Sequence, residues 1–214
     1  PVRSILAVVL ATVLTSNTSA EALTLQKVPF TSQAPRGNWS DERQQNGCEE
    51  ASVLMAMYWV RGRTLTPDLA LKKIHALAAF QKRFYGSSVD TSVKDTASRL
   101  IKGYFRYNKV RVGVVTNPSD IISKLSQGRV VIVPVNGQML KNPFYTLPGP
   151  LHHMLVIIGY DPSTKEFITN DPGTRKGKDF RYSENRLMRS LMDYPTGDHR
   201  PITKIEKKMI VVWK

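Results

Sequence analysis

The chain has one cysteine, Cys48, in 214 residues. One cysteine excludes a disulfide within the chain, and it excludes zinc sites built from two or four thiolates. Acidic residues are also few: 17 Asp and Glu stand against 31 Lys and Arg, for a formal charge of +14. A surplus of that size favours contact with anionic cell-envelope polymers or other acidic surfaces, and it acts on association more than on fold. Histidine occurs four times. None falls in a His-x-His or His-Glu-x-x-His spacing, so the pattern predicts no metal site and no cofactor. The basic residues are dispersed, with no helical stripe interleaved with aromatics, which argues against specific nucleic-acid binding.

The start of the chain does contain an apolar run, Ile5–Leu14 (ILAVVLATVL). It is about half the ~20 residues that a membrane span needs. Arg3 precedes it, and a polar TSNTS and the small residues Ala20 and Ala22 follow. A basic residue, an apolar run and a small-x-small site make a signal-peptide pattern. The chain begins at Pro1, so the basic region is expected to be incomplete. Residues 1–22 therefore read as a signal peptide and residues 23–214 as a single domain, extracytoplasmic and monomeric. No cysteine follows the apolar run, which argues against a lipid anchor. In an oxidising compartment an unpaired Cys48 is a liability unless it has a task.

Composition is that of a globular protein, with 41% hydrophobic and 22% charged residues. Leu23–Pro29 reads as a short extended segment and Thr31–Gln45 as a polar loop. From Cys48 to Arg61, Ala51, Leu54, Met55, Tyr58 and Trp59 recur at i, i+3, i+4, i+7 and i+8, which predicts a helix with one apolar stripe. Gly62 ends it. Thr66-Pro67 starts a second helix, with threonine as cap and proline in the first turn. Thr91–Tyr104 and Ser119–Ser126 complete the helices. The strands follow at Val110–Val115, Arg129–Val135, His153–Tyr160, Phe167–Asn170 and Lys207–Trp213. VVIVPV and MLVIIGY are apolar on both faces, as central strands of a covered sheet are. Pro134 predicts a strand end or a bulge. Helices first and strands second indicate an α+β fold with one sheet.

Cys48 opens a helix, where free N–H groups and the positive dipole end favour a thiolate. Glu49 and Glu50 oppose that charge if they point inward. A nucleophilic thiol needs a base and a group to orient the base. His75 and His199 read as solvated. His152 and His153 lead into the most apolar strand, and alternation allows only one of them to face a given site. The hairpin at Asp161-Pro162 makes Phe167–Asp171 an antiparallel neighbour of that strand, so Asp171 and His153 are candidates for a cross-strand pair. From position alone, an inert core thiol is a better reading of Cys48 than a nucleophile, and Asp171-Pro172-Gly173 is compatible with a simple turn.

VPFTSQAP, Trp39, GCEEASVLM, HHMLVIIGYD and NDPGT, taken together, resemble the C39-like cysteine peptidases of the papain-like clan, from about Val28 to Trp213. The order Gln, Cys, His, Asp is that of the family, and the histidine six residues before the glycine of GYD is His153, not His152. The resemblance implies a papain-like fold with the nucleophile at a helix N-terminus packed on a mostly antiparallel sheet. It implies Cys48 as nucleophile, His153 as base, Asp171 as orienter and Gln33 as the oxyanion-hole side chain, acting on a peptide or protein substrate. Asn170 is an alternative to Asp171, and Gln44 or Gln45 to Gln33. A related amidase or transferase on peptide or cell-wall amides, and an inactive binding module on the same fold, remain alternatives to a peptidase.

Overall fold

The computed structural model describes residues 23–214, and the expected signal segment lies outside them. The chain starts with a short strand β1 (Thr24–Leu25) and a loop leading to α1 (Glu42–Gln45), which is capped by the Asp41 side chain. Helices α2 (Cys48–Val60), α3 (Pro67–Tyr85) and α4 (Val93–Asp95) follow, and α4 runs on as a π-helical stretch, Thr96–Tyr104. The remaining elements are β2 (Val110–Val114), α5 (Pro118–Ser126), β3 (Val130–Val135), α6 (Gly137–Leu140), β4 (His153–Asp161), β5 (Glu166–Asn170), β6 (Phe180–Ser183), α7 (Glu184–Ser190) and β7 (Lys208–Val212). The fold is α+β. No helix among the described residues is long and apolar enough to cross a membrane.

The starts of the helices follow from local chemistry. The Thr66 hydroxyl accepts from Leu69 N, with Pro67 in the first turn of α3. Before α5, Asp120 reaches back to accept from Asn117 N at 3.0 Å. The sheet is antiparallel throughout, in the order β2-β7-β3-β4-β5-β6, with β1 added to β4. The period of two divides each central strand between two cores. Val130, Ile132, Met154, Val156 and Ile158 pack with α2, α3 and the π-helical stretch. Val131, Val133, Val135, Leu155 and Ile157 pack with α5 and α7 on the other face. Each of these side chains is buried, worth about 1.5–3 kcal/mol apiece relative to exposure.

The structure departs from the expectations for α2 and for the last elements, and it narrows that for Pro134 to a strand end. Helix α2 has no single apolar stripe, because every residue from Cys48 to Trp59 is buried. It lies between the sheet, α3 and the π-helical stretch, and a helix covered all round needs no polar face. Its polar residues find partners inside: Ser52 Oγ donates to Met154 O at 3.1 Å, and Glu50 accepts from Gln81 at 2.8 Å. Pro134 stands one residue before the end of β3, opposite Met154 and without a bulge there. The irregularity falls in β4, between Ile157 and Gly159. Finally, β6 and α7 were not expected from the sequence. Phe180–Ser183 is short, with alternating exposure on the outer edge of the sheet, and it carries no β-branched run to mark it.

Candidate active site

A cleft of about 1010 Å³ opens between the start of α2, the start of β4 and the loop before it. Gln33, Trp39, Gln45, Cys48, His152 and His153 all border it. Cys48 is the first residue of α2, only 6% exposed. Gly47 before it is required by space: a Cβ there would come within 2.6 Å of Arg43 O. That close approach packs α1 against the tip of α2.

His153 is the first residue of β4, and its ring Nε2 lies 2.8 Å from Asp171 Oδ1. Asn170 pairs with Val156, so Asp171 follows the last paired residue and meets His153 on the diagonal rather than directly opposite. Asp171 is fully buried. Its other oxygen accepts from the hydroxyls of Tyr145 and Tyr182, each at 2.6 Å, and Gly173 N donates to Oδ1 at 2.9 Å. Burial acts to raise this carboxyl, but the His153 ring and the tyrosine hydroxyls outweigh it and hold Asp171 below the ordinary carboxylate range. Gly173 is needed here as well, since a Cβ would sit 2.9 Å from both His153 Cε1 and Tyr145 Cε1. Asn170 points elsewhere: its amide donates to Val28 O and its oxygen accepts from Asp179 N. Of the two candidates, Asp171 is the one that holds the ring.

Gln33 borders the cleft, but its amide hydrogens are engaged. Nε2 donates to Gln44 O at 3.0 Å and to Gln45 O at 2.7 Å, leaving Oε1 buried without a partner among the described residues. Gln45 also borders the cleft, whereas Gln44 is not among its lining residues.

The family model described as Peptidase C39 like matches residues 25–191. The chain belongs to this C39-like peptidase family. A solved structure agrees on the fold. One from Bacillus anthracis, described as a C39-like peptidase, is 16% identical, with a TM-score of 0.56, and the match covers 91% of this chain and 98% of that one. The peptidase domain of Streptococcus ComA, a bi-functional ABC transporter involved in a quorum-sensing pathway, is 15% identical with a TM-score of 0.45, covering 79% of this chain and 93% of that one. No curated protein sequence matches.

Within this C39-like chain, the other side of Cys48 is acidic. The thiol donates to Glu49 Oε2 at 3.1 Å, while Glu49 Oε1 accepts from Tyr194 OH at 2.7 Å and from Thr91 N at 3.0 Å. Burial, and then the neighbouring Glu49 charge, push the Cys48 thiol well above its ordinary value. Burial raises Glu49 as well. Both glutamates do point inward, because α2 is enclosed on every side.

The histidines differ from the sequence reading. His152 stands just before β4, so strand alternation does not govern it, and both it and His153 border the cleft. His152 Nδ1 lies 2.9 Å from Asp90 Oδ2, and His199 Nδ1 lies 2.9 Å from the same oxygen. His199 is therefore anchored, although 66% of its side chain is exposed. His75 is half-buried, 3.3 Å from Asp41. Tyr145, Tyr182, Asp90 and Tyr194 were not singled out from the sequence. A lone tyrosine or aspartate in a loop carries no local sign of what it will meet.

Proposed function

We propose that this chain is a secreted cysteine peptidase that hydrolyses peptide bonds with Cys48, His153 and Asp171. The observation that carries the reading is the buried, multiply hydrogen-bonded Asp171 clamping His153 Nε2 in the cleft that Cys48 borders. With Nε2 engaged, Nδ1 is the nitrogen left to act as base. In the reaction, Cys48 turns from Glu49, gives its proton to His153 Nδ1, and the sulfur attacks the amide carbonyl carbon. The C–N bond breaks as His153 returns the proton to the leaving amine. Water then adds to the thioester, His153 takes its proton, and the C–S bond breaks to release the acid and regenerate the thiol.

The oxyanion is assigned to the backbone N–H of Cys48 and to the Gln33 amide, each such donor being worth about 3 kcal/mol in the transition state. Gln33 must give up one of its two carbonyl partners to serve. Export rests on the Arg3 and Ile5–Leu14 pattern, and N-terminal sequencing of the mature protein from the extracytoplasmic fraction tests it. Its substrate is a peptide or protein, and the +14 charge favours action near anionic cell-envelope polymers.

Cys48→Ala is expected to abolish hydrolysis of a casein or peptide-library substrate while the melting midpoint stays close to that of the parent. Retained cleavage overturns the mechanism. A second reading, a binding module with a silent thiol, draws on the Cys48–Glu49 hydrogen bond and the raised thiol. It predicts that the parent protein neither hydrolyses substrate nor reacts with iodoacetamide at neutral pH. Product analysis with and without added amine separates a peptidase from an amidase or transferase.

A further inference from the structure

Asp90, His152 and His199 are 109 residues apart at the extremes, yet each offers a ligand atom within 4.8 Å of the others. We propose that these three side chains form a binding site for one divalent transition-metal ion of the zinc class, in the wall of the cleft that Cys48 borders.

The donor set is the first argument. Two imidazoles and one carboxylate are ligands that zinc accepts, and three protein ligands leave a fourth position open. The two Nδ1–Oδ2 separations of 2.9 Å are close to the ~3.3 Å edge of a tetrahedron with metal–ligand bonds of about 2.0 Å. Those two separations need to widen by only a few tenths of an ångström, while the two imidazole nitrogens, which lie within 4.8 Å of each other, must converge on the same point; His199, on the cleft rim and mostly exposed, is free to move.

The second argument is the fixed orientation of the His152 ring. The His152 side chain is only 3% exposed, yet its Nε2 has no hydrogen-bond partner among the described residues. The ring is held rigidly, stacked on Tyr194 at 4.8 Å with an 11° tilt. Nε2 is the ring nitrogen away from Asp90, so it keeps the N–H while the packing on Tyr194 fixes Nδ1 in the direction of Asp90 Oδ2. The surroundings keep the cluster in place: Gly197 N donates to Asp90 O and His199 N to Asp90 Oδ2, each at 2.9 Å. These bonds tie the loop that carries His199 to the loop that carries Asp90. Ion entry is open, because Asp90, His152 and His199 all border the cleft.

The test uses the untagged chain and zinc or cobalt(II) alone, followed by calorimetry, by the visible absorption of cobalt in a four-coordinate site, and by metal content after gel filtration. One equivalent is expected to bind, with visible cobalt bands. His199→Ala, an exposed position that leaves the core untouched, is expected to weaken binding at least tenfold, and Asp90→Asn likewise. Cys48→Ala is expected to bind as the parent does, which separates this site from metal capture by Cys48 and His153. The proposal is overturned if the parent binds no zinc at 100 μM, if His199→Ala binds as tightly as the parent, or if Cys48→Ala loses the ion. Because the readout is metal binding, the proposal stands or falls independently of peptidase activity.

Discussion

Asp171 and Glu50 are each 0% exposed, yet their carboxyls are shifted in opposite directions. The desolvation each suffers is of one kind, and their partners differ. Asp171, at the end of β5, meets a histidine ring, the hydroxyls of Tyr145 and Tyr182 and the Gly173 N–H. These stabilise the carboxylate and hold it below its ordinary range. Glu50, in the first turn of α2, has Gln81 on one oxygen and no hydrogen-bond partner on the other among the described residues. Burial, and then the neighbouring Glu49 charge, push it up to about 8. A buried acid in this fold is thus an ionised clamp or a proton store according to how many donors reach it. The base side of the candidate site is built as a clamp, while the thiol side is held protonated and charge-averse.

Asp171→Asn keeps the shape but lets His153 take the wrong tautomer. Hydrolysis is expected to fall about 10²–10⁴-fold at neutral pH, measured as kcat/KM, whereas Asn170→Asp is expected to cost far less because that side chain faces Val28 and Asp179.

The next effect is on stability. The folded pKa of Glu50 is raised above its ordinary 4.5 to about 8, so the native state binds a proton that the unfolded state has lost. Stability is therefore highest below about 4.5 for this group and is lost as pH rises toward about 8. Glu50→Gln should remove that loss. The variant is expected to be more stable than the parent by about 1–3 kcal/mol at pH 8 and nearly equal at pH 4.5, measured by urea unfolding. Asp171 has the opposite sign, its contribution being full above the ordinary carboxylate range and lost only as pH falls below it.

Tyr145→Phe removes one donor from Asp171 and should destabilise by about 1 kcal/mol, with the Asp171 carboxyl moving up toward its ordinary value. Glu49→Gln addresses the thiol side. Removing that negative neighbour should lower the Cys48 thiol, so iodoacetamide alkylation reaches its plateau at lower pH than in the parent. An unchanged profile would show that burial alone sets the thiol.

Much of the architecture could be read in advance, because its signals are local. The Thr66-Pro67 and Asn117-Pro118 starts, the apolar runs of β3 and β4, and the Asp161-Pro162 hairpin are each written within a few consecutive residues. Cys48 at a helix start and His153 at a strand start are legible for the same reason. What failed was what depends on neighbours far along the chain. Helix α2 looked amphipathic because Glu49, Glu50 and Ser52 are polar, but Gln81, Thr91, Tyr194 and Met154 O come from elsewhere to satisfy them. His152 precedes its strand by one residue, so alternation does not decide which way it faces, and His199, exposed as its polar loop suggests, is also held by Asp90.

The sequence by itself determined which residues begin helices and strands, where the turns fall, and that a glutamine, a cysteine, a histidine and an aspartate stand in the order of a peptidase family. Capping, periodicity and turn chemistry act over a handful of residues, so they are visible in a string. Only the tertiary structure decided that Asp171 rather than Asn170 grips His153, that two glutamates are carried into the core beside the thiol, and that Asp90 gathers two histidines at the rim of the cleft. Those outcomes rest on desolvation and on charges meeting across long separations in the chain, and both exist only once the layers have packed.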